Sequence, residues 1–435
     1  ITFLDTPGHE DFSEDTYRTL TAVDSSLMVI DGAKGVEQRT IKLMEVCRLR
    51  DTPILTFVNK LDREVRDPID VLDEVEDVLN IKCAPMTWPI GMSNRFKGVY
   101  HLYDDQIHVF EAGKGEVLTE PEIIDGLESD EAKAFLGADY DDYLEEIELV
   151  KGANHQFDLQ AYLDGKLTPV YFGTALRNFG VMQMLDGFVD IAPEPLDRAA
   201  NDRSVSASEE SFSGFVFKIQ ANMDPKHRDR LAFIKIVSGT FKRNTPYFHV
   251  RHKKKLKFSS PNAFFADKKE VVDESFPGDI VGLHDTGNFK IGDTLTSGEE
   301  IQYKGIPSFS PEHFRFINNA DPMKAKQLNK GIDQLMDEGV AQLFTLNLNG
   351  RKVIGTVGAL QFEVIQYRLE HEYTAKCSLE NLNVHKACWI STEDDQNENY
   401  LDFLQVKQKF LAEDKQGQLV FLADSAFSLQ MTQQK

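Results

Sequence analysis

The 435-residue sequence has few cysteines and no long apolar run. Its four cysteines, Cys47, Cys83, Cys377 and Cys388, lie far apart and form no C-x-x-C pair. A cysteine-based metal site or disulfide framework is therefore not expected, and a reducing cytoplasm fits best. No apolar stretch approaches the roughly 20 residues that a membrane-spanning helix needs, and no signal peptide is recognisable. We expect a cytoplasmic protein with no membrane partner.

Basic side chains are scarce in the first part of the chain. Residues 1–200 contain 40 acidic and 18 basic side chains, whereas residues 201–435 contain 31 and 30. Because nucleic-acid binding depends on Lys and Arg near phosphates, the whole chain is not expected to bind nucleic acid nonspecifically. Two basic clusters, at 226–230 and 251–257, are interpreted either as RNA phosphate contacts or as solvated hairpin tips.

Two short motifs carry most of the functional information. Asp5-Thr6-Pro7-Gly8-His9 ends an apolar run, and Asn59-Lys60-Leu61-Asp62 follows 54 residues later at the end of a second one. An Asp-x-x-Gly turn after a strand can direct a carboxylate and a backbone N–H toward a γ-phosphate and its magnesium ion. An Asn-Lys-x-Asp motif can select guanine, because one carboxylate accepts from both the ring N–H and the exocyclic amine. Together they predict a GTP site, and two unrelated loops are the alternative.

In the first motif, each polar group has an expected role. Asp5 should hold magnesium through a water molecule, and the Gly8 N–H should reach the γ-phosphate, where a side chain would block approach. His9 should orient the attacking water and is the candidate catalytic residue. The alternative for His9 is a surface histidine at the start of a helix.

The remaining candidates surround the base. Asn59 should brace the nucleotide loops, Asp62 should read guanine, and the Lys60 stem can lie along the base plane. The segment after the predicted strand at 169–172 is placed to offer a backbone N–H to guanine O6. The full set of predicted nucleotide-binding residues is Asp5, Thr6, Pro7, Gly8, His9, Asn59, Lys60, Leu61, Asp62, Thr174, Ala175 and Leu176.

Hydrophobic periodicity predicts three domains. Up to residue 196, apolar runs at 1–5, 26–31, 53–59, 84–90 and 169–174 alternate with amphipathic helices, which include 36–50 and 68–79. This alternation indicates a parallel sheet with helices on both faces. An insertion is expected at about 98–151. Short strands predict a small closed β-barrel over 212–305. The mixed pattern over 306–435 predicts an α/β ferredoxin-like domain.

A phosphate-binding loop of the form G-x-x-x-x-G-K-[ST] does not occur between Ile1 and Lys435. Such a loop supplies the Lys and the magnesium-binding hydroxyl of P-loop GTPases. The chain also begins with Ile, inside the first predicted strand. We interpret the sequence as a piece that lacks the N-terminal phosphate-binding segment, and we expect negligible GTP hydrolysis by the piece alone.

The first motif with residues 10–20 resembles the translational GTPases, and within them the bacterial peptide chain release factor 3 family. Residues 83–91, 96–103 and 215–230 support the same resemblance. It implies a P-loop-type GTPase domain, a barrel and a third α/β domain, binding GTP or GDP with magnesium. The expected partners are the ribosome, through its RNA and proteins, and the stop-codon-reading release factors that the GTP form would displace. The family histidine corresponds to His9, and a monomer is expected.

The sequence departs from the family at both ends. The phosphate loop and the γ-phosphate-sensing threonine are absent, and a basic C-terminal tail is missing. One alternative is the N-terminal portion of elongation factor G or of a ribosomal protection GTPase. Another is a module that docks on ribosomes without nucleotide.

Overall fold

The structure, a computed structural model, describes residues 2–6, 13–110, 122–221, 230–265, 268–304, 310–392, 394 and 396–433. The chain divides into two compact units. The first unit is Val23–Glu194, and the second combines Thr2–Ala22 with Pro195–Lys435. Among the described residues, no helix is long and apolar enough to cross a membrane.

The described helices and strands are numbered in chain order. The helices are α1 (Ser13–Ala22), α2 (Gln38–Arg48), α3 (Pro68–Leu79), α4 (Asp130–Leu136), α5 (Tyr140–Ala153), α6 (Leu159–Leu163), α7 (Val181–Ile191), α8 (Ala325–Asp337), α9 (Gln361–Tyr373), α10 (Glu398–Val406) and α11 (Ala426–Gln433). The strands of the first unit are β1 (Ser26–Asp31), β2 (Ile54–Asn59), β3 (Lys82–Pro85), β4 (Thr87–Ile90), β5 (Gly98–His101), β6 (Gln106–Val109), β7 (Ile123–Asp125) and β8 (Leu167–Phe172).

The strands of the second unit belong mainly to two large sheets. They are β9 (Arg198–Ala199), β10 (Ser204–Val205), β11 (Ser213–Ala221), β12 (Arg230–Ser238), β13 (Phe241–Lys242), β14 (Pro246–His249), β15 (Lys254–Lys257), β16 (Asn262–Phe265), β17 (Lys268–Val271), β18 (Glu274–Ser275), β19 (Ile280–His284), β20 (Thr294–Thr296), β21 (His313–Asn319), β22 (Gln342–Leu346), β23 (Lys352–Thr356), β24 (Cys377–Asn381), β25 (Lys386–Trp389), β26 (Leu411–Asp414) and β27 (Leu419–Ala423).

The first unit is built on a parallel sheet. Its strand order is β1-β2-β8-β3, and every pair in it is parallel. Strand β8 is buried along its whole length, as is β2 up to its last residue. Strands covered on both faces are expected to be continuously apolar, which is how these two read in the sequence.

Helix α3 shows how local sequence determines where a helix of this unit begins and ends. Asp67 caps its first turn by accepting from the Ile69 N–H, and Pro68 occupies the first helical position. Asn80 follows the last turn in the left-handed conformation, with φ +47°. These are standard start and stop signals, and the apolar side chains between them are buried at helical spacing. The predicted helix at 68–79 is therefore confirmed.

The predicted strand at 84–90 is wrong as a single element. Strand β3 pairs in the parallel sheet, whereas β4 begins an antiparallel sheet of order β4-β5-β6-β7. Met86 lies between them: its N–H donates to the Val170 carbonyl, and its carbonyl accepts from Leu102 N–H. One continuous apolar run thus serves two sheets, which periodicity alone does not reveal.

The first large sheet of the second unit is antiparallel. Its order is β15-β14-β20-β11-β12-β19-β16-β17, and the apolar side chains on one of its faces form a core cluster. Alternate residues Ala232, Ile234 and Ile236 of β12 contribute to this core. On β11 the residues that reach this core are Val216 and Ile219. They are not an even number of residues apart, because a register shift between them changes which alternate side chains face the core.

The second large sheet carries the α/β part of the chain. Elements β21-α8-β22-β23-α9-β24 follow the ferredoxin-like βαββαβ order, and the sheet order is β24-β21-β23-β22. Strands β26, β27 and β25 extend the same sheet beyond β22. The predicted fold class, a parallel α/β domain followed by β-rich and α/β parts, is confirmed. The domain boundaries at 196, 212 and 305 stay predictions.

The predicted strand at 1–5 is wrong for its described residues. Residues 2–6 have no regular secondary structure and belong to the second unit, as α1 does. Leu4 and the fully buried Ala22 pack in one apolar cluster with Phe215. An apolar run becomes a strand only where a neighbouring strand completes its hydrogen bonds, and no described strand pairs with residues 2–6.

Candidate guanine-nucleotide site

Three parallel strands of the first unit end at the same edge of the sheet. Asp31, the last residue of β1, pairs in register with Asn59, the last residue of β2. On the other side of β2, Val58 pairs with Phe172 at the end of β8. The loops after these strands therefore meet, at the edge where open parallel sheets bind ligands.

Asn59 joins the loop after β2 to the loop after β8. Its Oδ1 accepts from the Lys60 N–H and from the Ala175 N–H, each at 2.8 Å. The Leu61 N–H also donates to the Gly173 carbonyl at 3.2 Å. Gly173 also allows the Phe179 carbonyl to approach the loop, because a Cβ at position 173 would lie 2.3 Å from that oxygen. Asn59 thus fixes two loops in one arrangement.

Asp62 is held by the second of these loops. The Thr174 hydroxyl donates to Asp62 Oδ1 at 2.6 Å, and the Thr174 side chain is fully buried. The other carboxylate oxygen accepts no hydrogen bond from a described residue. A carboxylate fixed at one oxygen and open at the other can accept from a base that presents two adjacent donors. Guanine presents such a pair, and adenine does not.

Lys60 has an unusual backbone and an unforeseen partner. Its φ is +75°, in the left-handed region that non-glycine residues rarely adopt and that is often found at functional sites. Its Nζ forms an ion pair with Asp31 Oδ2 at 2.6 Å. Burial acts to raise the pKa of Asp31, but the hydrogen bonds from Lys60 and from the Ala33 N–H outweigh it and lower the pKa.

Asp31 was not among the residues predicted from the sequence. The sequence did contain a signal for it: Asp31 ends an apolar run, as Asn59 does, and it is followed by Gly32. In the structure the two strands are neighbours. In the structure the pair orients the Lys60 side chain across the edge of the sheet.

The backbone donors of the loop after β8 are mostly engaged. The Ala175 N–H donates to Asn59, the Thr174 N–H to Phe179, and the Arg177 N–H to Thr174. The Leu176 N–H donates to no described residue, and its side chain is 78% exposed. Of the three predicted residues of this loop, Thr174, Ala175 and Leu176, only Leu176 has a backbone N–H that donates to no described residue.

The phosphate side of the predicted site is only partly described. Asp5 is exposed and Thr6 half-buried, both within the second unit, while Pro7, Gly8 and His9 lie outside the described residues. Within the described ranges, no cluster of three His, Cys, Asp or Glu side chains could hold a metal ion. Magnesium at phosphates typically keeps several waters and needs only one or two carboxylates. A single carboxylate such as Asp5 is compatible with that mode of binding.

Comparisons with known proteins cover nearly the whole chain. Residues 1–194 match the family model of the Elongation factor Tu GTP binding domain, and residues 211–298 match Elongation factor G domain 2. Residues 303–433 match the model of the Class II release factor RF3, C-terminal domain. The order of the three matches along the chain is the order of the parts described above.

A solved structure supports the same fold. The crystal structure of ttk003000868 from Thermus thermophilus matches with a TM-score of 0.69 and 18% sequence identity. The match covers 88% of this chain and 57% of the other, so the chain spans little more than half the length of that protein. At this identity the likeness concerns the fold alone. The three family matches show that the chain belongs to the translational GTPases of the release factor 3 type.

Proposed function

We propose that the protein containing this chain is a ribosome-dependent GTPase of translation termination. Its GTP form would release the stop-codon-reading release factors from the ribosome and so recycle them. Termination, rather than another step of translation, is proposed because residues 303–433 match a release factor C-terminal domain. The same chain also matches a GTP-binding domain. Because the chain covers 57% of the matched structure, the activity and partners of the whole protein are proposals.

The geometry at the sheet edge supports guanine selection. We assign Asp62 to the ring N–H and exocyclic amine of guanine, with Thr174 fixing the carboxylate. Asn59 would keep the two base-contacting loops together, and the Leu176 N–H would donate to O6. Lys60, Leu61 and Ala175 would shape the base pocket through the backbone bonds of the same loops.

On the phosphate side the proposal rests on the sequence motif. Asp5 would hold magnesium through water, with Thr6 and Pro7 completing the turn and the Gly8 N–H on the γ-phosphate. Magnesium supplies neutralisation of the phosphate charge during transfer. His9 would position the attacking water, a role that acts mainly in the transition state.

One alternative function has a specific observation in its favour. Residues 211–298 match domain 2 of elongation factor G, so a factor that moves tRNA, or a ribosomal protection GTPase, is the second candidate. The match at 303–433 favours a release factor instead. A cytoplasmic location and a monomeric state belong to the proposal as well. The low turnover expected of these 435 residues alone stays a prediction.

The function can be tested with the complete gene product and ribosomes stalled at a stop codon after peptide release. A fluorescent stop-codon-reading factor is bound first, and its dissociation rate is measured with GTP, with GDP and without nucleotide. We expect GTP to accelerate dissociation at least tenfold over GDP. Unchanged dissociation, together with GTP-dependent movement of mRNA on pretranslocation ribosomes, would assign the protein to the alternative.

A further inference from the structure

A polar cavity of about 340 Å³ lies in the ferredoxin-like part of the second unit. It is formed where β21 begins, where β24 ends and where α9 starts. Its lining includes Glu312, His313, Arg315, Phe362, Asn381 and Asn383. The cavity is far along the chain from the nucleotide motifs, and no role for it follows from them.

Strand alternation explains why charged and amide side chains meet here. On β21, Phe314 and Phe316 pack in the core on one face of the sheet, whereas Ile317 packs under the helices on the other. Arg315 shares the helix face with Ile317, because side chains two residues apart on a strand point the same way. Asn381 of β24 pairs directly with Arg315, so the two side chains lie side by side.

Arg315 is stacked but otherwise unsatisfied. Its guanidinium carbon lies 4.5 Å from the centre of the Phe362 ring, and the guanidinium forms no hydrogen bond or ion pair with any described residue. A second stack on the same sheet shows the contrast. Arg351 lies 3.5 Å over the Phe316 ring, but it also forms an ion pair with Glu380 at 2.6 Å. The guanidinium of an arginine has five strong N–H donors in one plane. When these donors have no partner and line a cavity, they indicate a place where a ligand can bind.

The other polar side chains of the cavity are open too. Within the described part of the chain, none of Glu312, His313, Asn381 and Asn383 has a side-chain hydrogen bond or ion pair. The set therefore combines a guanidinium that donates, a carboxylate that accepts, and two amides and an imidazole that can do both. A bare phosphate would be repelled by Glu312, and a purely apolar ligand would leave every one of these groups unpaired.

We propose that this cavity binds one unstacked nucleotide of single-stranded RNA. The base would stack on the free face of the Arg315 guanidinium, which Phe362 supports from the other side. Asn381 and Asn383 would hydrogen-bond the base edge, and Glu312 would accept from an exocyclic amine. Single-stranded RNA is recognised in this way, by stacking on aromatic rings or arginine planes with contacts to base edges. The proposal rests on the proposed function, because the ribosome would supply the RNA.

The test uses the full chain and short RNA. Fluorescein-labelled tetraribonucleotides (A4, C4, U4, and UGUU for guanine) are titrated by anisotropy. We expect saturable binding that prefers at least one base. Arg315→Gln, and Asn381→Ala with Asn383→Ala, should each weaken it at least about fivefold, the loss expected for one stacked base. Arg315→Lys should weaken it too, since the charge remains but the stacking plane is lost.

Arg351→Gln is the matched control, because it removes another ring-stacked arginine, one that already has Glu380 as its ion-pair partner. It should leave RNA binding within twofold of wild type. If Arg351→Gln weakened RNA binding as much as Arg315→Gln, the binding would depend on nonspecific charge and the proposal would be wrong. The proposal would also be overturned if no tetranucleotide gave saturable binding. Far-UV circular dichroism and thermal melts confirm that each variant is folded.

A crosslinking arm distinguishes RNA from protein as the occupant. A photoreactive amino acid replaces Ala359, which also lines the cavity and has no proposed contact to the base, and the chain is irradiated with bacterial ribosomes. A crosslink to ribosomal RNA supports the proposal, and a crosslink only to a ribosomal protein overturns it in favour of a peptide ligand. Tetranucleotide binding requires neither GTP nor a release factor. The RNA-binding assay can therefore fail while the release-factor dissociation assay succeeds, and the reverse, so the two proposals are tested independently.

Discussion

Asp62→Asn is the substitution that most directly tests the base-contacting loops. In the structure Asp62 Oδ1 accepts from the Thr174 hydroxyl at 2.6 Å, which the amide oxygen of an asparagine can also do. The amide nitrogen then takes the place of the open oxygen and presents donors where guanine needs an acceptor. Loss of one charge-assisted hydrogen bond costs roughly 1.5–3 kcal/mol, or about ten- to 100-fold in guanine-nucleotide affinity. Xanthine has a carbonyl at that position, so its nucleotides should bind more tightly.

The assay is displacement of a fluorescent guanine nucleotide from the complete gene product by GDP, XDP and ADP. The control is Glu64→Gln, the same acid-to-amide change at an exposed residue two positions further along. Glu64→Gln should leave all three affinities within twofold. An unchanged GDP-to-XDP ratio in Asp62→Asn would refute the assignment. An equal change in both variants would mean that the loop's charge, rather than its geometry, governs binding.

Three further predictions concern other parts of the chain. Thr174→Val should weaken guanine nucleotides about tenfold in the same displacement assay; Thr168→Val, which breaks a fully buried hydroxyl pair between β2 and β8, should lower the free energy of unfolding and leave base preference unchanged. His9→Ala should slow single-turnover GTP hydrolysis on ribosomes at least tenfold with nearly unchanged affinity, and equal losses in both would contradict the assigned role. Burial acts to raise the pKa of Asp293, but hydrogen bonds led by that from Arg251 lower it to about 2. Because the folded pKa lies below the unfolded value, its stabilisation of about 2 kcal/mol is complete above about pH 4 and is lost as the pH falls toward 2. Urea unfolding of Asp293→Asn at pH 3 and pH 6 should show a smaller difference than wild type.

Elements with local determinants could be predicted from the sequence. Helix α3 has its cap, its proline and its terminating Asn80 within its own sequence, so both of its ends were correctly predicted. Strand β1 was also predicted with its bounds, from the apolar run that ends at Asp31. In both cases the deciding contacts lie within a few residues of the element.

Features that depend on distant partners could not be predicted in this way. The Lys60–Asp31 pair joins residues on different strands, and the engagement of the Ala175 N–H depends on Asn59 from far earlier in the chain. The sequence motifs predict which residues belong to the proposed site. Which donors stay open for a ligand depends on bonds between loops, so the preference for the Leu176 N–H emerges only from the structure.

Helix α1 follows the first sequence motif, and three of its side-chain and backbone contacts are with distant parts of the second unit. Arg18 donates to the Gly339 carbonyl at 2.9 Å, and Arg198 donates to the Thr21 carbonyl at 3.0 Å. Asp15 forms an ion pair with Lys218 at 2.7 Å. Gly339 has φ +74°, and any Cβ there would collide with the Arg18 guanidinium, so the turn and the contact both require a glycine. The sequence allows a helix to begin near His9, but these long-range bonds decide which unit the helix joins.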